Sequence, residues 1–324
     1  MTQMILDRLG RFRTPPAFAA AGGPRERRPL RLAAFLLSAA VAAGGAALLV
    51  ALTITLCFAW PLANARGVGL FEAIPLAVDP GSGPRRLLSY GFELGVAGLS
   101  SYAGALAILG LAMVFYRRPA LSFLTTAPRF RWRQVAAGLL IGAVVIGAAL
   151  AVQSLMSDTP REAPLLRPGE SLGARFGYAG LAAACLYLAA LAEEIIFRGV
   201  LLQLTAAFTR SLPLILAVNG VLFSLAHFDP DPSGLVIRLL MGVGWTWIAL
   251  RTGGVEFTTG LHPANNLMIS LFLTPVSFKP AAPEKLDPLA IVLELGAVLA
   301  CVAAVELLAR RRQRQAERGL APAE

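Results

Sequence analysis

The chain has little charge and almost no histidine. Of 324 residues, 15% are charged and two are His, against 56% hydrophobic and a mean hydropathy of +0.67. Soluble domains carry about a quarter charged residues, so a water-soluble fold of this size is excluded. Cysteine is equally scarce. Cys57, Cys185 and Cys301 are widely spaced inside apolar runs, which argues against both a disulfide framework and a metal–thiolate site. Short segments of alternating polarity are missing too, which excludes a membrane β-barrel. What the chain does have is long apolar runs, at 32–60, 94–116, 135–156, 176–208, 211–228, 232–250, 257–278 and 288–309. A run of about 20 apolar residues is what crosses the hydrocarbon. The reading is an all-α polytopic membrane helix bundle of about eight transmembrane helices.

Eight crossings put both termini on one side, and arginine says which. With the N-terminus cytoplasmic, the inside stretches hold 19 basic against 4 acidic residues, and the outside stretches 8 against 9. Basic residues accumulate in cytoplasmic loops, so both ends are expected in the cytoplasm. The net charge of +10 then reflects topology and contact of the basic loops with anionic lipid rather than nucleic acid. The Pro-rich basic stretch 1–31, with Arg11, Arg13, Pro15, Pro16, Arg25, Arg27 and Arg28, is expected to be a disordered cytoplasmic tail. Residues 32–60 are too long for a signal peptide despite Ala63-Asn64-Ala65, and are read as a retained helix. Usage rich in Ala, Arg and Gly points to a high-GC prokaryote and hence a bacterial cytoplasmic membrane. Gly44, Gly45, Gly138 and Gly142 are expected to serve close helix packing.

An ionisable group at membrane depth costs at least ~2.5 kcal/mol on insertion scales, so each one needs a partner or a function. In the first three spans only Glu93 occurs, near an outer end where it can reach headgroups. The fourth carries Glu193-Glu194-Ile195-Ile196-Phe197-Arg198. Glu194 and Arg198 are four apart, share a helical face and can pair, which leaves Glu193, about 100° away, in a different environment. Two adjacent carboxylates in a low dielectric cannot both ionise cheaply, so the one without the arginine is a candidate general base. An ion-paired packing cluster is the bland alternative. The two histidines fall in similar segments: His227 ends Phe223-Ser224-Leu225-Ala226-His227, and His262 shares a face with Asn266, four residues on.

Depth tests whether these groups can meet. Glu193 and His227 each lie seventeen residues from Arg210 in the turn between their helices, so both sit ~25 Å from it at ~1.5 Å rise per residue. His262 lies ten residues beyond Thr252, which gives ~15 Å by the same rise. The ~10 Å mismatch requires helix offset or tilt.

Glu193-Glu194-x-x-x-Arg198, Phe223-x-x-x-His227 and His262-x-x-x-Asn266 resemble, in order and without departure in a motif residue, the signatures of the CAAX-protease and bacteriocin-processing (CPBP, or Abi) family of intramembrane endopeptidases. The resemblance covers roughly 174–275, taken as the catalytic membrane domain, with 32–173 as accessory helices and 276–324 as the last helix and a basic tail. It implies hydrolysis of peptide bonds in a membrane-associated or lipidated peptide or protein, in a cavity open to the cytoplasm. It also implies roles: Glu193 as the base that activates water, His227 as its partner in positioning that water, His262 and Asn266 as oxyanion stabilisers, Glu194 and Arg198 as support. The chemistry agrees, since amide hydrolysis needs a base, a held water and oxyanion donors. No His-Glu-x-x-His pair is present, and a metal-free mechanism is the preferred reading. If a divalent ion such as zinc is used, its ligands come from Glu193, His227 and His262.

Two rival classes use the same residues: a proton-coupled transporter with a Glu/His relay, and a non-catalytic membrane scaffold or immunity factor. Among the remaining polar residues, Glu256 and Glu306 are expected at the interface, and Arg238 in a local ion pair with Asp229 or Asp231. Glu294 has no partner nearby in sequence. Trp245 and Trp247 are expected as packing or interfacial anchors, and Asn219 and Gln203 as interhelical hydrogen-bonders. Asn265 competes with Asn266 for the face of His262.

Overall fold

Residues 17–78, 87–156, 163–228, 231–277 and 286–317 are described by a computed structural model. They are helical almost throughout, with no strand among them. The helices in chain order are α1 (Pro29–Arg66), α2 (Leu70–Val78), α3 (Gly91–Tyr116), α4 (Trp132–Met156), α5 (Leu172–Phe208), α6 (Leu212–Leu225), α7 (Pro232–Thr252), α8 (Thr258–Phe272) and α9 (Pro288–Glu317). All eight apolar runs are thus helices. Six of them, α1, α3, α4, α5, α7 and α9, are long and apolar enough to cross a membrane alone, whereas α6 and α8 have 14 and 15 residues. Broad apolar faces point outward, with Leu37, Val41, Leu140 and Val144 each 64–70% exposed. In water such faces would be untenable at this extent, and in lipid they need no partner. The protein is an integral membrane helix bundle.

Helix ends follow local chemistry. Ser171 accepts from Ala174 N–H at the start of α5, and Asp231 accepts from Ser233 and Gly234 N–H at the start of α7. Gly253, at φ 76°, closes α7 in the left-handed region open to glycine. In the interior, α4 packs on α8, α6 on α7, α7 on α9, α5 on α8 and α3, and α1 on α3. The α4–α8 contact depends on the absence of side chains: a Cβ at Gly138 would land on the Phe257 carbonyl oxygen, and one at Gly142 would sit 2.8 Å from Ala264 Cβ. These two glycines serve close packing as expected. Gly44 and Gly45 do not, for nothing lies within 4 Å of the space a Cβ would take there.

Of the basic N-terminal stretch, residues 1–16, including Arg11, Arg13, Pro15 and Pro16, lie outside the described residues. The rest is packed rather than loose. Phe18 and Ala19 are buried with Leu202, Ala206, Leu212, Ile215, Leu250 and Val255. Glu26 accepts from Gly23 N–H and pairs with Arg118 at 3.1 Å. Arg118 also donates to Ser122 O and Gln203 Oε1, so it ties this stretch to α5.

Candidate active site

The polar segment of α5 departs from α-helical geometry. Glu194–Leu201 form a π-helical turn whose closing bond runs from Leu202 N–H to the Phe197 carbonyl. Such wide turns are frequent at functional sites, because they re-aim side chains within a continuous helix. Here the turn begins at the paired acids. Glu194 and Arg198 are wholly buried and bonded to each other at 2.9 Å. The Arg198 guanidinium also lies 4.1 Å from the centre of the Phe223 ring and 5.4 Å from that of Trp245, so α6 and α7 supply aromatic faces to the cation. Its Nε and Nη2 have no hydrogen-bond partner among the described residues.

Both histidines point at the acids. His262 Nδ1–H donates to Glu194 Oε1 at 2.9 Å, and its Nε2 lies 3.7 Å from Glu193 Oε2. His227 Nδ1–H donates to its own helix at Phe223 O, 2.7 Å away, and its Nε2 lies 3.5 Å from the same Glu193 Oε2. A carbonyl or an ionised carboxylate can only accept, so each ring spends its Nδ1 proton outward and turns Nε2 inward. Three acceptor atoms therefore converge: one carboxylate oxygen and two ring nitrogens. Glu193 Oε2 is buried and has no hydrogen bond among the described residues. A water molecule, with two protons to give, suits that position. Glu193 and His227 keep about a quarter of their side-chain surface accessible, whereas His262 keeps 3%. The first two thus form the open wall of the site and His262 its floor.

Counted along the sequence, His262 lies about two turns off the level of Glu193 and His227. The structure supplies the offset through the connection that precedes α8. Gly254 to Asn265 are all buried, and the chain after α7 is tied to the segment joining α3 to α4. Val255 N–H donates to Leu124 O, Thr126 N–H donates to Gly253 O, and Thr125 bridges Gly254. Arg131 grips Glu256 with two bonds of 2.8 Å. Glu256, expected at the interface, is fully buried within the protein, and its bonds to Arg131 fix the start of α8.

Five of the six expected site residues, Glu193, Glu194, Arg198, His227 and His262, thus come together. Asn266 is linked to none of them by a hydrogen bond among the described residues. Its Oδ1 accepts from Asn265 Nδ2 at 3.2 Å, which leaves its own NH2 as its donor group. Asn265 is the more buried of the two, and its Oδ1 is unsatisfied among the described residues. Trp245 was read as a packing or interfacial anchor. It packs, and on the site itself: its ring centre is 4.6 Å from that of His262. The adjacent polar motifs of the sequence gave no hint of that partnership, because Trp245 lies in an otherwise unremarkable apolar span.

Other expectations divide. Gln203 bridges to Ser122 O and Phe123 O across helices. Asn219 instead donates within its own helix to Ile215 O. Glu306 sits at the end of the bundle, bonded to Arg251 and Trp247. Glu93 is 3% exposed within the protein rather than reaching outward. Asp231 caps α7, and Asp229 lies outside the described residues. The three cysteines are free, Cys57 exposed and the other two buried.

As to a metal, Glu193, His227 and His262 offer the right kinds of donor atom, yet among the described residues no group of three His, Cys, Asp or Glu side chains is arranged to hold an ion.

Residues 175–268, which contain all of these side chains, match the family described as Type II CAAX prenyl endopeptidase Rce1-like. The protein is also similar to the uncharacterized protein YyaK of Bacillus subtilis (strain 168), 29% identical over 167 residues, which is 49% of this chain and 54% of the relative. The chain thus spans about half the length of that curated relative. No solved structure matches it.

Proposed function

We propose that this membrane protein, whose residues 175–268 are of the Rce1-like CAAX-protease family, is an intramembrane endopeptidase that hydrolyses a membrane-associated or lipidated peptide or protein. The observation that carries the reading is the approach of both histidine Nε2 atoms to one unsatisfied oxygen of Glu193, at 3.5 and 3.7 Å.

In this reading a water lies against Glu193 Oε2 and gives its second proton as a hydrogen bond to His227 Nε2. His227 is held for that task by its bond to the Phe223 carbonyl. As the water oxygen attacks the scissile carbonyl carbon, Glu193 takes the proton and the carbonyl becomes an oxyanion. His262 differs from His227 in what lies behind it: Glu194 is a partner for a ring that carries both protons. A second proton, taken up from solvent at Nε2 while Nδ1–H remains on Glu194, turns this ring from acceptor to donor toward the oxyanion, where the Asn266 NH2 joins it. One good donor of this kind is worth about 3–4 kcal/mol. Collapse of the tetrahedral intermediate then breaks the C–N bond, and the proton held by Glu193 passes to the departing amine. Arg198 touches no reacting atom and holds Glu194, and through it His262, in place.

The ends of the bundle near Arg118, Arg131 and Arg251 are assigned to the cytoplasmic side, with both termini. The test is cleavage by the purified full chain of membrane-anchored peptides, prenylated and not, beside the Glu193→Gln and His227→Ala variants. Cleavage by the parent and none by the variants is expected. Equal cleavage by either variant removes the assignment. A proteomic comparison of membranes from parent and Glu193→Gln strains should then reveal the accumulated substrate.

A further inference from the structure

Away from the catalytic groups, a cavity of about 470 Å³ opens where α1 begins and α3 ends, lined by Arg25, Arg28, Arg31 and Arg117 together with Val114 and Phe115. Four guanidinium groups around one space repel each other, and among the described residues none of them has an acidic partner within ion-pair distance. The nearest carboxylate in sequence, Glu26, is 2% exposed and committed to Arg118 and to Gly23 N–H. The first turn of α1 adds no acid and has no side-chain cap, so its amide dipoles reinforce the positive field rather than offset it. At the other end, α3 closes on Arg117 in the left-handed conformation, φ 55°. A non-glycine residue is strained in that conformation, and such strain clusters at functional sites and ligand clamps.

Which anion fits is decided by the surroundings. Both helices are long enough to span a membrane, so their shared ends lie at headgroup level. Phe115 lines the cavity, and Val114 beside it is 71% exposed. An occupant with a phosphate at one end and hydrocarbon at the other satisfies both halves. Basic pockets between membrane helices are a known setting for anionic headgroups.

We infer that Arg25, Arg28, Arg31 and Arg117 form a binding site for the phosphate headgroup of an anionic phospholipid, its acyl chains lying along Val114 and Phe115.

The full chain in neutral detergent is titrated with phosphatidylglycerol and, separately, with phosphatidylcholine and inorganic phosphate, reading bound lipid by native mass spectrometry and thermal unfolding in parallel. The parent should retain phosphatidylglycerol and gain thermal stability from it, with no such gain from phosphatidylcholine. The triple variant Arg28→Gln/Arg31→Gln/Arg117→Gln should bind phosphatidylglycerol on the order of a hundredfold more weakly and lose the stability gain, while unfolding no earlier than the parent in neutral detergent, because it has shed like-charge repulsion. Retention of phosphatidylglycerol by the triple variant at the parent's affinity overturns the site. Stabilisation by inorganic phosphate equal to that by the lipid overturns the lipid assignment in favour of a soluble anion. Where the triple variant unfolds early, Arg117→Gln alone replaces it, and undiminished phosphatidylglycerol binding by that variant overturns the site.

Discussion

Replacing Glu193 and Glu194 by glutamine, one at a time, separates the tasks of two carboxylates that are adjacent in sequence. Glu194 and Arg198 are both wholly buried and face each other at 2.9 Å. Glutamine at 194 leaves a guanidinium in the interior of a membrane protein without its counter-charge and offers His262 Nδ1–H only a neutral amide oxygen in place of a carboxylate. Breaking a buried pair from one side costs about 3–5 kcal/mol. Glu193 keeps a quarter of its side-chain surface, and its Oε2 bonds to nothing among the described residues. The isosteric amide there should change stability by less than about 1 kcal/mol while removing the base, which is worth roughly 10²–10⁴ in rate. Unfolding free energy from denaturant titration in detergent and turnover of an anchored fluorogenic peptide are measured on the same preparations. Glu193→Gln should be a stable, inactive protein, and Glu194→Gln an unstable one. If Glu193→Gln loses as much stability as Glu194→Gln, or turns over normally, the division of labour argued from burial and bonding is wrong.

Three further outcomes follow from the same geometry. Arg131→Met strands the fully buried Glu256 and should cost about 3–5 kcal/mol, most of it recovered in Arg131→Met/Glu256→Gln, as read by thermal unfolding of the single and double variants. Gly138→Val places its Cβ on the Phe257 carbonyl and should force α4 from α8, with early unfolding and loss of turnover, whereas Gly110→Ala, which meets nothing within 4 Å, should leave both unchanged. Trp245→Leu removes the ring packed on His262 and near Arg198. It should lower kcat about tenfold with KM little altered, since the loss is of orientation rather than of substrate contact; steady-state kinetics on the anchored peptide decide it.

The fold class was legible because hydrocarbon imposes one demand on the backbone, and long apolar runs are its plain signature. The two short helices were legible as runs but not as spans, because α6 and α8 gain their depth from neighbours. The pairing of Glu194 with Arg198 followed from a four-residue spacing, and the level of Glu193 with His227 from counting along two helices joined by a tight turn. His262 defeated that count for a stated reason: the reference turn at Thr252 leads into a stretch tied to residues 121–131, held by Arg131 and Glu256, which lie 125 residues apart. Contacts at such separations leave no periodic trace. The same limit hid the packing of Phe18 and Ala19, two apolar residues in a stretch whose arginines and prolines read as tail. Trp245 was visible as an aromatic in a span, but its contact with His262 depends on how α7 and α8 cross.

The wide turn at Glu194–Leu201 sets the phase of a single long span. Above it, Leu172–Glu193 presents Tyr178, Ala182, Cys185 and Leu186 to one set of neighbours, and below it Gln203 and Leu204 meet another. The surplus residue absorbs the angular difference between these halves. Deleting any one residue within the turn would let the ladder revert to ordinary 3.6-residue winding and swing one half by roughly 100° relative to the other. A shortened relative could keep every chemical letter of the acidic motif and still aim its carboxylates at lipid, so sequence comparisons here should weigh spacing through Leu202 as heavily as residue identity.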